Sequence, residues 1–281
     1  MTRALIVNAD DFGRTRGVSA GIIEAHLHGL VSTTTALVNL PGALLDVAQA
    51  SRQAPTLGLG VHLNLTLGRP VLSPATVPSL VTSDGNFHPP EALAAITDRL
   101  DARQVAMEWR AQIEAFLTTG ATLDHLDSHH HAALLAPALW EACLALAVEF
   151  GCGVRPPAPR AARDDVLFSR FPISARRYAA VEAQRQLHAS GAPSPDGLVT
   201  RFYADRATLP ALLSILAAIP DGTTELMCHP GWVDEQLQRE SNYAQFRERE
   251  LQVLTSARIL QAVARLGIER PTYREALVRP A

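Results

Sequence analysis

Cysteine is scarce in this chain, which has three among 281 residues. Cys143, Cys152 and Cys228 form neither a disulfide framework nor a Cys-x-x-Cys zinc motif. The formal net charge of -3 gives no overall basic field, so nucleic acid is not an expected partner. No apolar run is long enough to span a bilayer, and residues 1–3 lead directly into a strand pattern instead of a signal peptide. We therefore expect a cytoplasmic protein without a membrane span.

Short β-type runs alternate with helical patterns along the chain. Hydrophobic residues make up 47% of it and charged residues 19%, which is ordinary for a globular protein with a large core. The strand patterns cover residues 5–9, 34–39, 57–65, 123–126, 154–155 and 225–228. The helical patterns cover residues 18–30, 43–52, 101–117, 137–150, 179–189 and 209–219, and part of 243–266. Because such alternation is typical of a parallel sheet covered by helices, the sequence predicts an α/β fold.

The alternation of strand and helix patterns continues along the chain without an internal repeat or a low-complexity linker, which favours a single hydrophobic core. We expect a single domain over residues 1–281, built as an irregular (β/α) barrel with mostly parallel strands. Two stretches break the rhythm, residues 70–90, which are rich in Pro, Ser and Thr, and residues 155–196, which are rich in Pro and Arg. Because long loops in α/β proteins often form the walls of binding sites, we interpret both as functional insertions.

The first strand pattern ends in two adjacent carboxylates, Asp10 and Asp11. Adjacent acids repel each other, so a fold seldom gains from ending a buried strand with them. One alternative is a polar strand terminus or a helix N-cap. The other is metal chemistry, in which one carboxylate binds a cation and its neighbour accepts a proton from a metal-bound water. The pair by itself leaves both interpretations open.

Histidines accompany three later strand patterns, at His62, His129 and His229. Because the C-terminal ends of parallel barrel strands open onto one face, these segments should bring their side chains to the same place as the acidic pair. A carboxylate with two imidazoles is a common ligand set for a divalent metal and leaves positions open for water and substrate. We therefore predict Asp11, His62 and His129 as the ligands of one ion. Magnesium or zinc is expected, and cobalt or manganese also suits this mixed O/N set.

Five stretches of the chain resemble the YdjC-like carbohydrate deacetylases, whose best-understood members are chitooligosaccharide deacetylases. They are residues 8–13 (NADDFG), 33–39 (TTTALVN), 60–62 (GVH), 125–131 (HLDSHHH) and 227–230 (MCHP), and residues 254–256 (LTS) are also similar. The resemblance extends from about residue 3 to residue 275. It implies an irregular (β/α) barrel related to the NodB-type polysaccharide deacetylases, with the same metal triad.

The resemblance also implies a reaction and two catalytic residues. The reaction is removal of an N-acetyl group from an acetylated amino sugar, such as a chitooligosaccharide or a related glycoconjugate. Asp10 would be the base and His229 the acid. One departure is visible, because members of the family commonly have another histidine two residues after DSHHH, where this chain has Ala132 and Ala133. That histidine is not in the triad, so we expect the metal site to be kept, whereas a substrate or supporting contact at that position is not assured.

Five further residues are candidates for contacting the substrate or supporting the site. Asp127 either orients a ligand or catalytic histidine or is a solvated acid at a strand end. Arg155 either pairs with the base and holds it ionised or lies on the surface. Because neighbouring strand residues point apart, we expect one of His130 and His131 to face the substrate and the other to make a structural hydrogen bond. Trp232 either stacks on a sugar ring or packs in the core.

Two other functions stay open at this point. One is metal-dependent hydrolysis of another amide, an ester or a phosphoester, although the chain has no Gly-rich phosphate loop. The other is non-catalytic binding of a sugar or a metal, for which a complete acid and base pair would have no use. A homodimer is expected only by analogy with the family.

Overall fold

The computed structural model describes residues 2–157 and 173–277, and its centre is a curled sheet that forms a half-barrel. The strands are β1 Arg3–Phe12, β2 Thr33–Ala36, β3 Gly58–Leu63, β4 Leu123–Ser128, β5 Gly153–Val154, β6 Gly197–Val199, β7 Gly222–Cys228 and β8 Ile268–Glu269. Their order is β5-β4-β3-β2-β1-β7-β6, every pairing along this path is parallel, and β8 pairs in parallel with the start of β1. The predicted α/β fold with mostly parallel strands is confirmed.

Helices connect the strands and cover the outside of the sheet. They are α1 Arg16–Leu27, α2 Ala43–Gln53, α3 Pro90–Ala95, α4 Ala102–Leu117, α5 Pro137–Phe150, α6 Ile173–Ser190, α7 Leu209–Ala217, α8 Glu235–Glu240, α9 Ala244–Leu254, α10 Ala257–Leu266 and α11 Tyr273–Leu277. α1 shows why they form. The Thr15 side chain caps its first turn by accepting from the backbone N–H of Val18, and Val18, Ile22 and Ala25 make one buried stripe.

The central strand β1 explains why the strand patterns are apolar runs rather than alternating ones. It lies between β2 and β7, and every residue from Leu5 to the end of the strand is buried. A parallel strand covered on both faces requires apolar side chains in successive positions. The C-terminal ends of β1, β3, β4 and β7 therefore deliver the polar residues that follow these runs to one edge of the sheet.

Several predicted elements are shorter or more divided than the sequence indicates, and two show this most clearly. The strand predicted over residues 34–39 ends at Ala36, because the chain then turns with the backbone N–H of Leu40 bonded to the carbonyl of Leu37. The last helical pattern consists of α9 and α10, which are separated at Ser256, where the backbone is extended.

The two predicted insertions have some structure of their own. Residues 70–90 contain a 3-10 helix at Pro78–Leu80 and an antiparallel bridge between Val81 and Phe87, and Leu80 and Phe87 join the core. In the second insertion, residues 158–172 lie outside the described residues, and α6 follows them. None of the helices described is both long and apolar enough to cross a membrane. The single-domain organisation and the cytoplasmic location stay predictions.

Candidate metal centre

The end of β1 turns both acidic neighbours toward the same cavity. The pairing of β1 with β2 is interrupted by a bulge between Ala9 and Phe12, and Asp11 has a positive φ of 73°. Successive side chains of a regular strand point to opposite faces, whereas a bulge redirects one of them. As a result Asp10 and Asp11 both line the cavity, and both are buried.

The histidine run adopts a different local structure from a strand end. β4 continues to Ser128, and a 3-10 helix, His129–Leu134, follows it directly. His130 and His131 interrupt this helix with a kink, because both have left-handed backbone angles, with φ of 53° and 51°. All three histidines line the cavity, and the division of His130 and His131 between a substrate contact and a structural hydrogen bond stays a prediction. His130 also makes a structural contact, because its Nδ1 lies 2.9 Å from Oγ1 of Thr66.

Asp11, His62 and His129 bring ligand atoms within 4.8 Å of one another. Oδ1 of Asp11 lies 3.5 Å from Nε2 of His62 and 3.1 Å from Nδ1 of His129. Oδ1 of Asp11 and Nε2 of His129 are both buried and have no hydrogen-bond partner among the described residues. Buried polar atoms are nearly always paired, so the unpaired Oδ1 of Asp11, with Nε2 of His62 and Nδ1 of His129 beside it, leaves room for an ion. One oxygen and two nitrogen donors fit a divalent cation.

The second oxygen of Asp11 has a protein partner. Nη2 of Arg247, on α9, donates to Oδ2 of Asp11. Burial alone would raise the pKa of Asp11, but Arg247 and then His129 hold it well below its ordinary value. The carboxylate is therefore ionised, with one oxygen fixed by the arginine and the other turned toward the two histidines.

His62 is oriented by Asp127, the residue directly opposite it in the pairing of β3 with β4. Nδ1 of His62 lies 2.6 Å from Oδ1 of Asp127, and the Thr35 hydroxyl donates to Oδ2 of Asp127 over 3.0 Å. Such an acceptor fixes the ring and leaves the other nitrogen, Nε2, for a metal. Burial opposes protonation of His62, yet Asp127, assisted by Asp10 and Asp11, raises its pKa to about 9. Because Asp127 is buried, it is not a solvated acid at a strand end, which was the other interpretation of this residue.

Asp10 is held by a buried arginine. Nη1 and Nη2 of Arg155 donate to its two oxygens over 2.8 and 2.6 Å, and Nδ2 of Asn8 adds a third bond of 2.9 Å. Burial would raise the pKa of Asp10, but Arg155 holds it well below its ordinary range. Arg155 lies inside the protein rather than on its surface, and Asp10 is ionised at neutral pH.

His229 faces Asp10 from the end of β7. Its Nε2 lies 3.9 Å from Oδ2 of Asp10, and its backbone N–H donates to the buried carboxylate of Glu250. The ring centroids of Tyr203 and Tyr243 each lie 5.5 Å from that of His229, in edge-on arrangements. Burial, against the attraction of Asp10 and Asp11, lowers the pKa of His229 to about 4, so the imidazole is neutral at pH 7.

Trp232 lies away from this cavity. Its side chain is 39% exposed, and its Nε1 donates to Oε2 of Glu24 on α1 over 3.0 Å. It is not among the residues that line the cavity, which has a volume of about 260 Å³. This volume is close to the lower end of the usual range for small-molecule sites, roughly 300 Å³.

Several residues of the site escape sequence reasoning. Arg14, Tyr203, Tyr243 and Arg247 line the cavity, and Glu250 lies behind His229. One usable signal is present on α9, where the buried positions include Ala244, Arg247, Glu250, Leu251 and Leu254. Charged residues on the buried stripe of an amphipathic helix require partners and mark a site.

Comparisons with known proteins show the family to which the chain belongs. A family model described as YdjC-like protein matches residues 4–265, and the chain belongs to that family. It is 36% identical over 276 residues to a carbohydrate deacetylase of Geobacillus stearothermophilus, with 98% of each chain covered. It is also 36% identical over 279 residues to a chitooligosaccharide deacetylase of Proteus mirabilis, covering 98% of this chain and 99% of the relative. A crystal structure from Enterococcus faecalis V583, provisionally described as a cellobiose-phosphate cleavage protein, superposes with a TM-score of 0.85 at 33% identity, covering 99% of this chain and 100% of the other.

Proposed function

We propose that this protein is a metal-dependent carbohydrate N-deacetylase that hydrolyses the acetamide of an acetylated amino sugar, in a chitooligosaccharide or a related glycoconjugate. The observation that carries the proposal is the meeting of two sets of groups in one cavity. The triad Asp11, His62 and His129 lies beside two groups suited to proton transfer, Asp10 and His229. The names of the relatives, carbohydrate deacetylase and chitooligosaccharide deacetylase, support the substrate class.

The triad would hold one divalent ion, with magnesium or zinc preferred and cobalt or manganese as alternatives. Such an ion supplies Lewis-acid polarisation of the amide carbonyl and lowers the pKa of water. Asp127 keeps Nε2 of His62 turned toward the ion site through its bond to Nδ1. Arg247 does the same for Oδ1 of Asp11 by binding Oδ2.

Asp10 acts as the general base. It is ionised, its orientation is fixed by Arg155, and its Oδ2 lies between His62 and His229, 3.9 Å from Nε2 of each. It accepts a proton from water as the water oxygen bonds to the carbonyl carbon of the acetamide. Because both oxygens of Asp10 remain bonded to Arg155, the carboxylate keeps its position throughout.

His229 acts on the leaving nitrogen. The C–N bond breaks only when that nitrogen receives a proton, since an amide anion is a very poor leaving group. Burial keeps the imidazole of His229 neutral in the free site. His229 therefore receives, during the reaction, the proton that Asp10 has taken from water, and it passes this proton to the leaving nitrogen. The products are acetate and the amino sugar, which together account for the added water.

The test is a screen for acetate release from N-acetylated mono- and disaccharides and glycolipids, after chelation and with each candidate metal added back. We expect equimolar acetate and primary amine from at least one amino sugar, with activity lost on chelation and regained with metal. Hydrolysis confined to esters, other amides or phosphoesters would reassign the reaction. Sugar binding without any hydrolysis would indicate a binding protein.

A further inference from the structure

Tyr273, at the start of the short C-terminal helix α11, is inserted into the interior of the half-barrel. It is fully buried, and its ring stacks on the imidazole of His125 on β4, with centroids 4.0 Å apart and planes at 4°. The ring also fills the space over β5, where a Cβ on Gly153 would come within 2.5 Å of Cδ1 of Tyr273. Asp124 fixes the backbone, accepting from the N–H groups of Tyr273 and Arg274. The position of the hydroxyl is thus set by two strands.

The hydroxyl of Tyr273 begins a series of buried contacts that ends at the proposed base. It donates to Oε2 of Glu225, a fully buried residue of β7. Oε1 of Glu225 accepts from Nε of Arg155 over 2.8 Å and lies 2.7 Å from Nη2. The far edge of the same guanidinium binds both oxygens of Asp10. The planar guanidinium is therefore held by Glu225 on its Nε edge and by Asp10 on the far edge, where Oδ2 of Asp127 also lies 2.9 Å from Nη1.

We infer that Tyr273 is a positioning residue for Asp10, acting through the buried pair of Glu225 and Arg155. This inference rests on the proposed function, in which Asp10 is the base. Nothing in the proposed chemistry uses Tyr273 or Glu225 directly, and neither lines the cavity. Their contacts serve the orientation of the arginine.

The physical reason lies in the cost of burying charges. A buried ion pair keeps a defined geometry only when its remaining donors and acceptors are also bonded. Arginine presents donors in a rigid planar fork, so rotation at one edge displaces the other. Without the hydroxyl, Oε2 of Glu225 loses its bond from Tyr273, and the carboxylate can rotate and displace the Nε edge of the guanidinium, which Asp10 and Asp127 do not bind. A displacement of about 1 Å in a catalytic group can lower a rate by roughly a hundredfold.

The test is the variant Tyr273→Phe, which removes the hydroxyl but keeps the stacked ring. On an acetylated disaccharide that the wild type hydrolyses, we expect kcat to fall about tenfold, with KM and bound metal unchanged. Tyr178→Phe is the matched control, because its hydroxyl donates to Gln186 on α6, outside the site. An unchanged kcat in Tyr273→Phe, or a loss of bound metal, would overturn the inference. If this variant does not fold, Glu225→Gln takes its place with the same expectations.

A second measurement does not depend on activity. Tyr273→Phe and Asp10→Asn form a double-mutant cycle of unfolding equilibrium constants between residues that are not bonded to each other in the described structure. If two sites are independent, the effects of their substitutions on the unfolding equilibrium constant multiply to within about twofold. A double variant that deviates from this product by more than about threefold supports coupling of Tyr273 to Asp10, and a smaller deviation contradicts it. If the wild type releases no acetate from any substrate, the proposed function fails, and this cycle alone decides whether Tyr273 is coupled to Asp10.

Discussion

Asp10 and Asp11 are adjacent in the sequence and share one cavity, yet each is neutralised by a different arginine. Arg155 binds both oxygens of Asp10, and Arg247 binds one oxygen of Asp11. The bulge in β1 makes this division possible, because it lets both carboxylates face the cavity. The repulsion between the neighbouring acids is thereby offset by two different cations. Asp10 is fully bonded, whereas Asp11 keeps Oδ1 for a metal.

The first prediction concerns the triad. His62→Ala and His129→Ala each remove one of three donors, and we expect metal affinity to fall at least about a hundredfold, since even supporting residues are worth ten- to a hundredfold. Metal per protein after dialysis, measured by atomic emission, checks this. His188→Ala, at an exposed position on α6, should retain the wild-type metal content. Unchanged metal content in the first two variants would refute the triad.

The second prediction separates the two acids. Asp10→Asn keeps an oxygen that can accept from Arg155 but cannot take up a proton at neutral pH. We expect it to bind metal as the wild type does while kcat falls about 10²- to 10⁴-fold, which is the usual contribution of a general base. Metal content and acetate release are measured on the same preparation. Turnover near the wild-type value would rule out Asp10 as the base.

The third prediction tests the turn that follows the acidic pair. Gly13 has φ of 79°, and a Cβ there would meet Cβ of Ala43 at 2.5 Å and its Cα at 2.9 Å. Gly120 has nearly the same φ, 78°, but open space around it. We expect Gly120→Ala to lower the free energy of unfolding by about 1–2 kcal/mol through backbone strain alone. Gly13→Ala should cost a further ~1–3 kcal/mol from the overlap with α2.

Urea unfolding gives the loss in the free energy of unfolding for each glycine variant. The loss in Gly120→Ala measures the backbone strain, and the difference between the two losses measures the steric overlap with Ala43. Equal losses in the two variants would mean that the backbone relaxes around the new methyl group. In that case metal binding should also be unaffected, since the end of β1 would tolerate the shift.

The apolar strand runs and the polar residues after them predict much of the site. Asp10, Asp11, His62 and His229 follow or end buried strands, and parallel strands bring such residues to one edge whatever the details of packing. What the sequence does not predict is orientation. The φ of 73° at Asp11 belongs to a single residue in a single bulge, and the hydrophobic periodicity of the sequence does not predict it.

Residues distant in the sequence are the other part that sequence reasoning misses. Glu225 and Tyr273 occur in ordinary strand and helix patterns, and only the folded chain shows that Tyr273 binds Glu225 and that Glu225 binds Arg155. For Arg155 the sequence alone allows either a buried partner of the base or a surface position. Whether Arg155 is buried depends on its contacts with residues of β4 and β7, and a local sequence pattern does not predict such contacts.

The last prediction concerns Glu250, the carboxylate behind His229. Burial raises its pKa from an ordinary 4.5 to about 7, despite hydrogen bonds from the backbone N–H of His229 and the hydroxyl of Tyr243. Between about pH 4.5 and pH 7 the folded state therefore binds more protons at this site than the unfolded state. The contribution of Glu250 to the free energy of unfolding consequently falls as pH rises through that window.

Glu250→Gln is neutral at every pH. Its amide oxygen can accept from the backbone N–H of His229, and its NH2 can donate to the hydroxyl of Tyr243 in the place of the protonated carboxyl oxygen. Relative to the wild type, we expect the variant to be equally stable near pH 4.5 and more stable at about pH 8, by at most roughly 3 kcal/mol. Urea unfolding of both proteins at several pH values between these limits gives the difference directly, and other titrating groups cancel in it. A difference that does not grow with pH would show that Glu250 is already ionised at low pH in the folded protein.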